Sequence, residues 1–142
     1  RFPIAACYEH LYRWIETGIA PPSAPRIQTD AMGHNVRDAL GNSIGGVRTC
    51  LLDYPTCAYY YYSDVEKGRF FVDPEADRDI LFGHEEPFPP EMLQYMYGSL
   101  ARYCQLAEMS TCEHVTKGYV LRQDAEALVA LAVEYAKERG LH

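Results

Sequence analysis

The stretch Leu11–Ile27, LYRWIETGIAPPSAPRI, decides how the chain divides. Its first half continues a helix. Ile4, Cys7, Tyr8, Leu11, Trp14 and Ile15 fall at the three-, four- and seven-residue spacings of one helix face. Gly18 supplies a left-handed stop, and Pro21 and Pro22 prevent continuation. From Ile19 to Ile27 the chain reads as an extended connector, because proline fixes its own φ and turns the residue before it away from helix. A first helix, residues 1–18, is thereby set off from an extension, residues 19–142.

Beyond the connector, residues 30–47 are rich in Asp30, Gly33, Asn35, Asp38, Gly41, Asn42, Gly45 and Gly46 and read as loop, with no internal repeat expected. Strand character follows at Val47–Leu52 and at Cys57–Tyr62, the latter dominated by Tyr59 to Tyr62, with a third short strand at Arg69–Val72. Residues 73–91 form an acidic, proline-containing loop. Pro89 and Pro90 then open a helix whose stripe is Met92, Tyr95, Met96, Leu100, Tyr103, Leu106 and Ala107. A short helix or turn is expected around Ser110–Lys117, and a last helix from Arg122 to Arg139 that stops at Gly140. The expected architecture is an α+β segment: an N-terminal helix, a Gly-rich loop, two or three strands and about three C-terminal helices.

Composition excludes some function classes. A 142-residue chain with 48 % apolar and 23 % charged residues can bury a real core, so wholesale disorder is excluded. The net charge of −7 and the scattered Arg and Lys leave no basic face, so neither nucleic acid nor an anionic membrane is an expected partner. No run of about 18 apolar residues could span a bilayer. No charged segment followed by an apolar one marks a secretory leader, and the compartment stays open. Cys7, Cys50, Cys57, Cys104 and Cys112 show no C-x-x-C spacing, so buried or half-buried thiols are expected rather than structural zinc, with one disulfide left open.

Several patterns resemble sites. Gly41-Asn42-Ser43-Ile44-Gly45 spells G-x-S-x-G, the nucleophile-elbow pattern, but an elbow serine needs a strand before it and a helix after it. A polar segment precedes Ser43 and strand character follows, so a turn is the expectation. Asp73, Glu75, Asp77 and Asp79 resemble the start of a calcium loop, yet Arg78 and His84 stand where a glycine and a bidentate glutamate are needed, so no metal is expected. His10, His34, His84, His114 and His142 form no metal-binding pair, although a Cys57–His84 or His84–Glu85 pair stays open. Tyr59, Tyr61 and Tyr97 are candidates to line a substrate pocket, against the alternative that they are core. No cofactor motif is present.

The blocks LYRWI with Gly18, APPSAPRI at 20–27, Asp30, Gly33, GNSIGGVR at 41–48, Asp53, Pro55, Tyr59, Pro87-Phe88, Leu93, Tyr97, Tyr103, Gly118, Leu121, Asp124-Ala125, Leu128 and Ala132 together resemble the C-terminal portion of a bacterial family of large proteins with an α/β-hydrolase domain. The resemblance runs in order along nearly the whole chain. It implies that residues 1–18 are the last helix of a hydrolase core and that 41–48 belongs to a structural extension. It further implies that the serine, acid and histidine of an ester-cleaving triad lie upstream, so no residue here is assigned as catalytic. Asp64–Asp79 and Tyr59–Tyr62 depart from the family pattern. The expected partner of the 4–15 face is then the upstream hydrolase core or a second copy of the chain, since six large apolar side chains left open would drive association. A stand-alone domain that binds a partner without catalysis is the alternative.

Overall fold

A computed structural model describes residues 1–60 and 84–142; the expected strand at Arg69–Val72, the candidate Tyr61 and most of the acidic loop lie outside the described residues. The described elements run α1 (Phe2–Thr17), α2 (Cys50–Asp53), β1 (Cys57–Tyr60), β2 (His84–Pro87), α3 (Pro90–Tyr97), α4 (Leu100–Thr116), a 3₁₀ turn (Arg122–Asp124) and α5 (Ala125–Glu138). This is a mix of helices and a small antiparallel sheet. In the sheet Cys57 faces Pro87, Ala58 faces Glu86, Tyr59 faces Glu85 and Tyr60 faces His84.

The core lies where α3, α4 and α5 meet. Leu93, Tyr97, Tyr103, Ala107, Leu128, Ala132 and Ala136 are buried together, joined by Cys50 of α2, Val120 and Leu141. The alanines let α4 and α5 approach closely, while the tyrosines fill the larger spaces. Tyr97 and Tyr103 meet edge to face at 5.0 Å, an arrangement that places a positive ring edge on a negative ring face. Their hydroxyls donate to the carbonyls of Pro55 (2.7 Å) and Tyr54 (3.2 Å), so neither ring buries an unpaired polar group. Burial pushes both phenols well above their usual range.

Several expectations need correction. Val47–Leu52 is not a strand: Cys50–Asp53 is a single helical turn whose Cys50 side chain is buried. The stripe from Met92 to Ala107 is not one helix. Gly98 takes a left-handed φ of 75° and Ser99 begins α4, its hydroxyl accepting from the Arg102 amide. Nor is Ser110–Lys117 a separate piece. α4 continues through it, with Ser110, Thr111 and His114 buried.

The Gly-rich loop is a tandem repeat, contrary to the reading that no repeat exists. Asp30-Ala31-Met32-Gly33-His34-Asn35-Val36-Arg37 is followed by Asp38-Ala39-Leu40-Gly41-Asn42-Ser43-Ile44-Gly45. The hydrogen bonds repeat with the letters. Each aspartate carboxylate accepts two amides, Met32 and His34 in the first unit and Leu40 and Asn42 in the second. Each glycine amide donates back to its aspartate carbonyl, and each aspartate amide to the carbonyl four residues on. Gln28, Val36 and Ile44, eight residues apart, close a ring of main-chain bonds: Gln28 donates to Ile44, Ile44 to Val36, and Val36 to Gln28, at 2.9–3.0 Å.

α1 belongs to this body through one side. Phe2 and Ala6 are buried, and the His10 imidazole bonds the Gly118 carbonyl at 2.6 Å. The rest of its apolar face is open: Tyr8 is 70 % and Ile15 76 % exposed, with Ile4, Leu11 and Trp14 also exposed. None of the later described helices covers it.

Candidate functional site

A polar cluster stands between α2 and α4. Residues four apart on a helix share a face, so Ser110 and His114 point the same way from α4 and meet Asp53 at the end of α2. The Ser110 hydroxyl donates to Asp53 Oδ2 at 2.7 Å, and His114 Nε2 lies 2.8 Å from the same oxygen. Arg48 braces the cluster from the other side. Its Nη2 reaches Asp38 Oδ2 at 3.0 Å and the Leu52 carbonyl at 2.7 Å, its Nη1 bonds the Ser43 carbonyl, and its Nε is 3.7 Å from Asp53 Oδ1. Arg48 thus ties the repeat to α2. The cluster opens on a cavity of about 550 Å³ that Tyr54, Glu113, Lys117 and Tyr119 also line.

Serine, aspartate and histidine are the ingredients of a nucleophilic triad, but their order here is different. A triad serine gives its proton to the histidine, and the acid holds the far nitrogen of the ring. Here the carboxylate sits in the middle and takes both hydrogen bonds on one oxygen. Deprotonating Ser110 would set an alkoxide against Asp53. His114 Nδ1 is buried and has no hydrogen-bond partner among the described residues. As arranged, the cluster holds the Ser110 hydroxyl and the His114 ring on one carboxylate oxygen, with no serine–histidine hydrogen bond between them. Sequence reading passed over it because Asp53, Ser110 and His114 lie in three unremarkable contexts. Helical spacing places Ser110 and His114 on one face but does not reveal Asp53, which only the approach of α2 brings to them.

Ser43 is buried in the second repeat unit, its Oγ accepting from Asn35 Nδ2 at 3.3 Å. Its neighbour Asn42 does the structural work of the motif. The Asn42 side chain is fully buried, donates to the Cys57 carbonyl at 3.0 Å and accepts from the Tyr59 amide at 2.9 Å. No histidine bonds a serine hydroxyl among the described residues, and the strand–turn–helix setting of an elbow is absent around Ser43.

The candidate tyrosines are placed differently from one another. Tyr59 is half-buried on β1 and, with Asn42, Ser43 and Leu52, lines a cavity of about 210 Å³. Burial pushes its phenol far up, and its hydroxyl has no hydrogen-bond partner among the described residues. Tyr97 is packed in the core, its hydroxyl on the Pro55 carbonyl. Cys57 and His84 sit at opposite ends of the β1–β2 ladder and do not pair. Cys57 is buried, with its thiol pushed up by burial, and His84 stacks on Tyr60 at 4.6 Å. Across the other face of Tyr60 lies the Arg37 guanidinium, 4.1 Å from the ring centre. The five cysteines are free thiols. No group of metal-ligating side chains gathers among the described residues, and no described helix is long and apolar enough to cross a membrane.

With this geometry in place, the chain belongs to the family described as "Alpha/beta hydrolase domain", whose model matches residues 1–130. Searches of curated proteins and of solved structures returned no match.

Proposed function

We propose that this chain is the C-terminal structural and pocket-lining part of a serine hydrolase that cleaves esters or related acyl bonds, with its Ser–acid–His triad supplied by residues upstream of 1–142. The observation that carries the proposal is the open face of α1. A helix with large side chains exposed at Ile4, Tyr8, Leu11, Trp14 and Ile15 is made to lie on something apolar. The helices of a doubly covered sheet are such elements. In this reading 1–18 is the last helix of the hydrolase body and 19–142 an extension beside it. The absence of a serine–histidine bond among the described residues supports the same reading.

Esterase assay with active-site labelling tests it. The chain alone is expected to hydrolyse short p-nitrophenyl esters no faster than an inert protein and to take no fluorophosphonate label at Ser43 or Ser110. Turnover abolished by Ser43→Ala or Ser110→Ala overturns it. The alternative, a stand-alone binding domain, is favoured by the cavity beside Asp53. It gains ground if the chain is a monomer in dilute solution whose Trp14 fluorescence reports a fully buried environment.

A further inference from the structure

We infer that the cavity between Asp53 and Tyr119 is a binding site for a small neutral polyhydroxylated molecule, of the mono- or disaccharide class. The inference stands apart from the hydrolase reading, since binding there asks nothing of a nucleophile.

Size admits the class: about 550 Å³ lies within the range of small-molecule sites. Charge narrows it. Two cations, Arg48 and Lys117, and two anions, Asp53 and Glu113, line the space. Arg48 is committed to Asp38 and to main-chain carbonyls, and Lys117 Nζ is 2.5 Å from Glu113. The Arg and Lys charges of the lining are therefore matched by its carboxylates, with the His114 imidazole held against Asp53. Unused hydrogen-bonding capacity of both kinds remains. Asp53 Oδ1 makes no hydrogen bond among the described residues, with Arg48 Nε 3.7 Å away. Glu113 spends one oxygen on Lys117, and an ammonium has three donors, of which that pair uses one. The Lys117–Glu113 pair is exposed and so is worth little by itself, which lets it exchange partners at small cost.

A lining with both free acceptors and free donors matches hydroxyl groups, each of which both donates and accepts. An anion would leave the carboxylates facing it, a cation would leave the ammonium facing it, and a purely apolar guest would strand all four charges without water. The apolar wall completes the match. Tyr54 and Tyr119 line the same cavity, and aromatic side chains offer apolar surface suited to the C–H groups of a sugar ring.

Saturation-transfer NMR on the intact protein, with glucose and maltose as probes and hexanoate and hexylammonium as charged controls, tests the site. Saturable transfer to a sugar is expected, with no comparable response from either control. Lys117→Met removes exposed donors and is expected to weaken sugar binding about tenfold, the equivalent of one hydrogen bond, with the melting temperature unchanged. Met109→Trp, at an exposed position on the cavity rim, is expected to reduce the response by filling the space. Silence from both sugars with folded protein overturns the inference. So does a stronger response from either control, or sugar binding indifferent to both substitutions.

Discussion

The two eight-residue units of the Gly-rich loop share a backbone and differ in what they touch. In both, an aspartate caps a four-residue turn closed by a left-handed glycine, Gly33 at φ 87° and Gly41 at φ 80°. The first unit projects into solvent, with Met32 81 % exposed and His34 folded back on its own Asp30 at 3.3 Å. The second is pressed against β1. At the position of His34 it carries Asn42, whose amide satisfies one donor and one acceptor of the strand's main chain. Local sequence therefore sets the turn, and a single side chain decides whether the turn is docked. An asparagine amide can serve a carbonyl and an N–H at once; an imidazole in one tautomer, already engaged with an aspartate, serves neither.

The largest expected effect tests that distinction directly. Asn42→Ala strands the Cys57 carbonyl and the Tyr59 amide in a buried setting and is expected to cost about 3 kcal/mol in denaturant unfolding. His34→Ala, at the equivalent exposed position, is expected to stay within about 0.5 kcal/mol. Equal losses would show that the turns are held by something other than docking.

Next come the glycines. Alanine at either position must hold a left-handed conformation, which costs about 1–2 kcal/mol. At Gly33 a new Cβ meets nothing within 4 Å, so Gly33→Ala should report that strain alone. At Gly41 the Cβ would come 3.1 Å from the Ala58 Cβ, so Gly41→Ala should lose more. Combining it with Ala58→Gly should recover the excess. An excess that survives the double substitution would place the clash elsewhere.

How far the letters alone reach can be judged from the same residues. The α+β mix, the end of α1 at Gly18 and the loop character of 30–47 were legible, because glycine, proline and helical periodicity act locally. The repeat was legible in principle, from Asp30 and Asp38 and from Gly33 and Gly41 standing eight apart, but only two short units of common turn residues carry it. The helical turn at Cys50–Asp53 was not legible, since Val47, Leu51 and Leu52 suit a strand equally well and tertiary burial of Cys50 decided the matter. The break at Gly98 was masked by an apolar stripe that keeps its spacing across it. The Asp53–Ser110–His114 cluster depends on the long-range approach of α2 to α4, which no spacing announces.

The aspartates should differ as well, though less. Asp38 accepts two amides and also holds Arg48 at 3.0 Å, so Asp38→Ala is expected to cost about 1–2 kcal/mol and to loosen the Arg48 brace. If Arg48→Ala already present makes Asp38→Ala nearly harmless, the brace rather than the turn is what Asp38 contributes.

The smallest expected effect lies in the first unit and is read by pH. Asp30 is held below its ordinary value of 3.8, first by the His34 amide, whose N–H donates to the carboxylate, with the Met32 amide and the His34 ring adding to it. A carboxyl whose folded value is lowered binds its proton less readily folded than unfolded. Its contribution is therefore present above 3.8 and is lost as the pH falls through the lowered folded value. The Met32 and His34 amide resonances should thus titrate together, with a midpoint below 3.8. His34→Ala keeps the amide that dominates and removes only the ring, so it should raise that midpoint part of the way and leave it below 3.8. A midpoint restored fully to 3.8 would mean that the imidazole, not the turn, holds the aspartate. The exposed unit would then be stabilised by a side-chain pair, and the shared backbone logic of the two units would fail at its first copy.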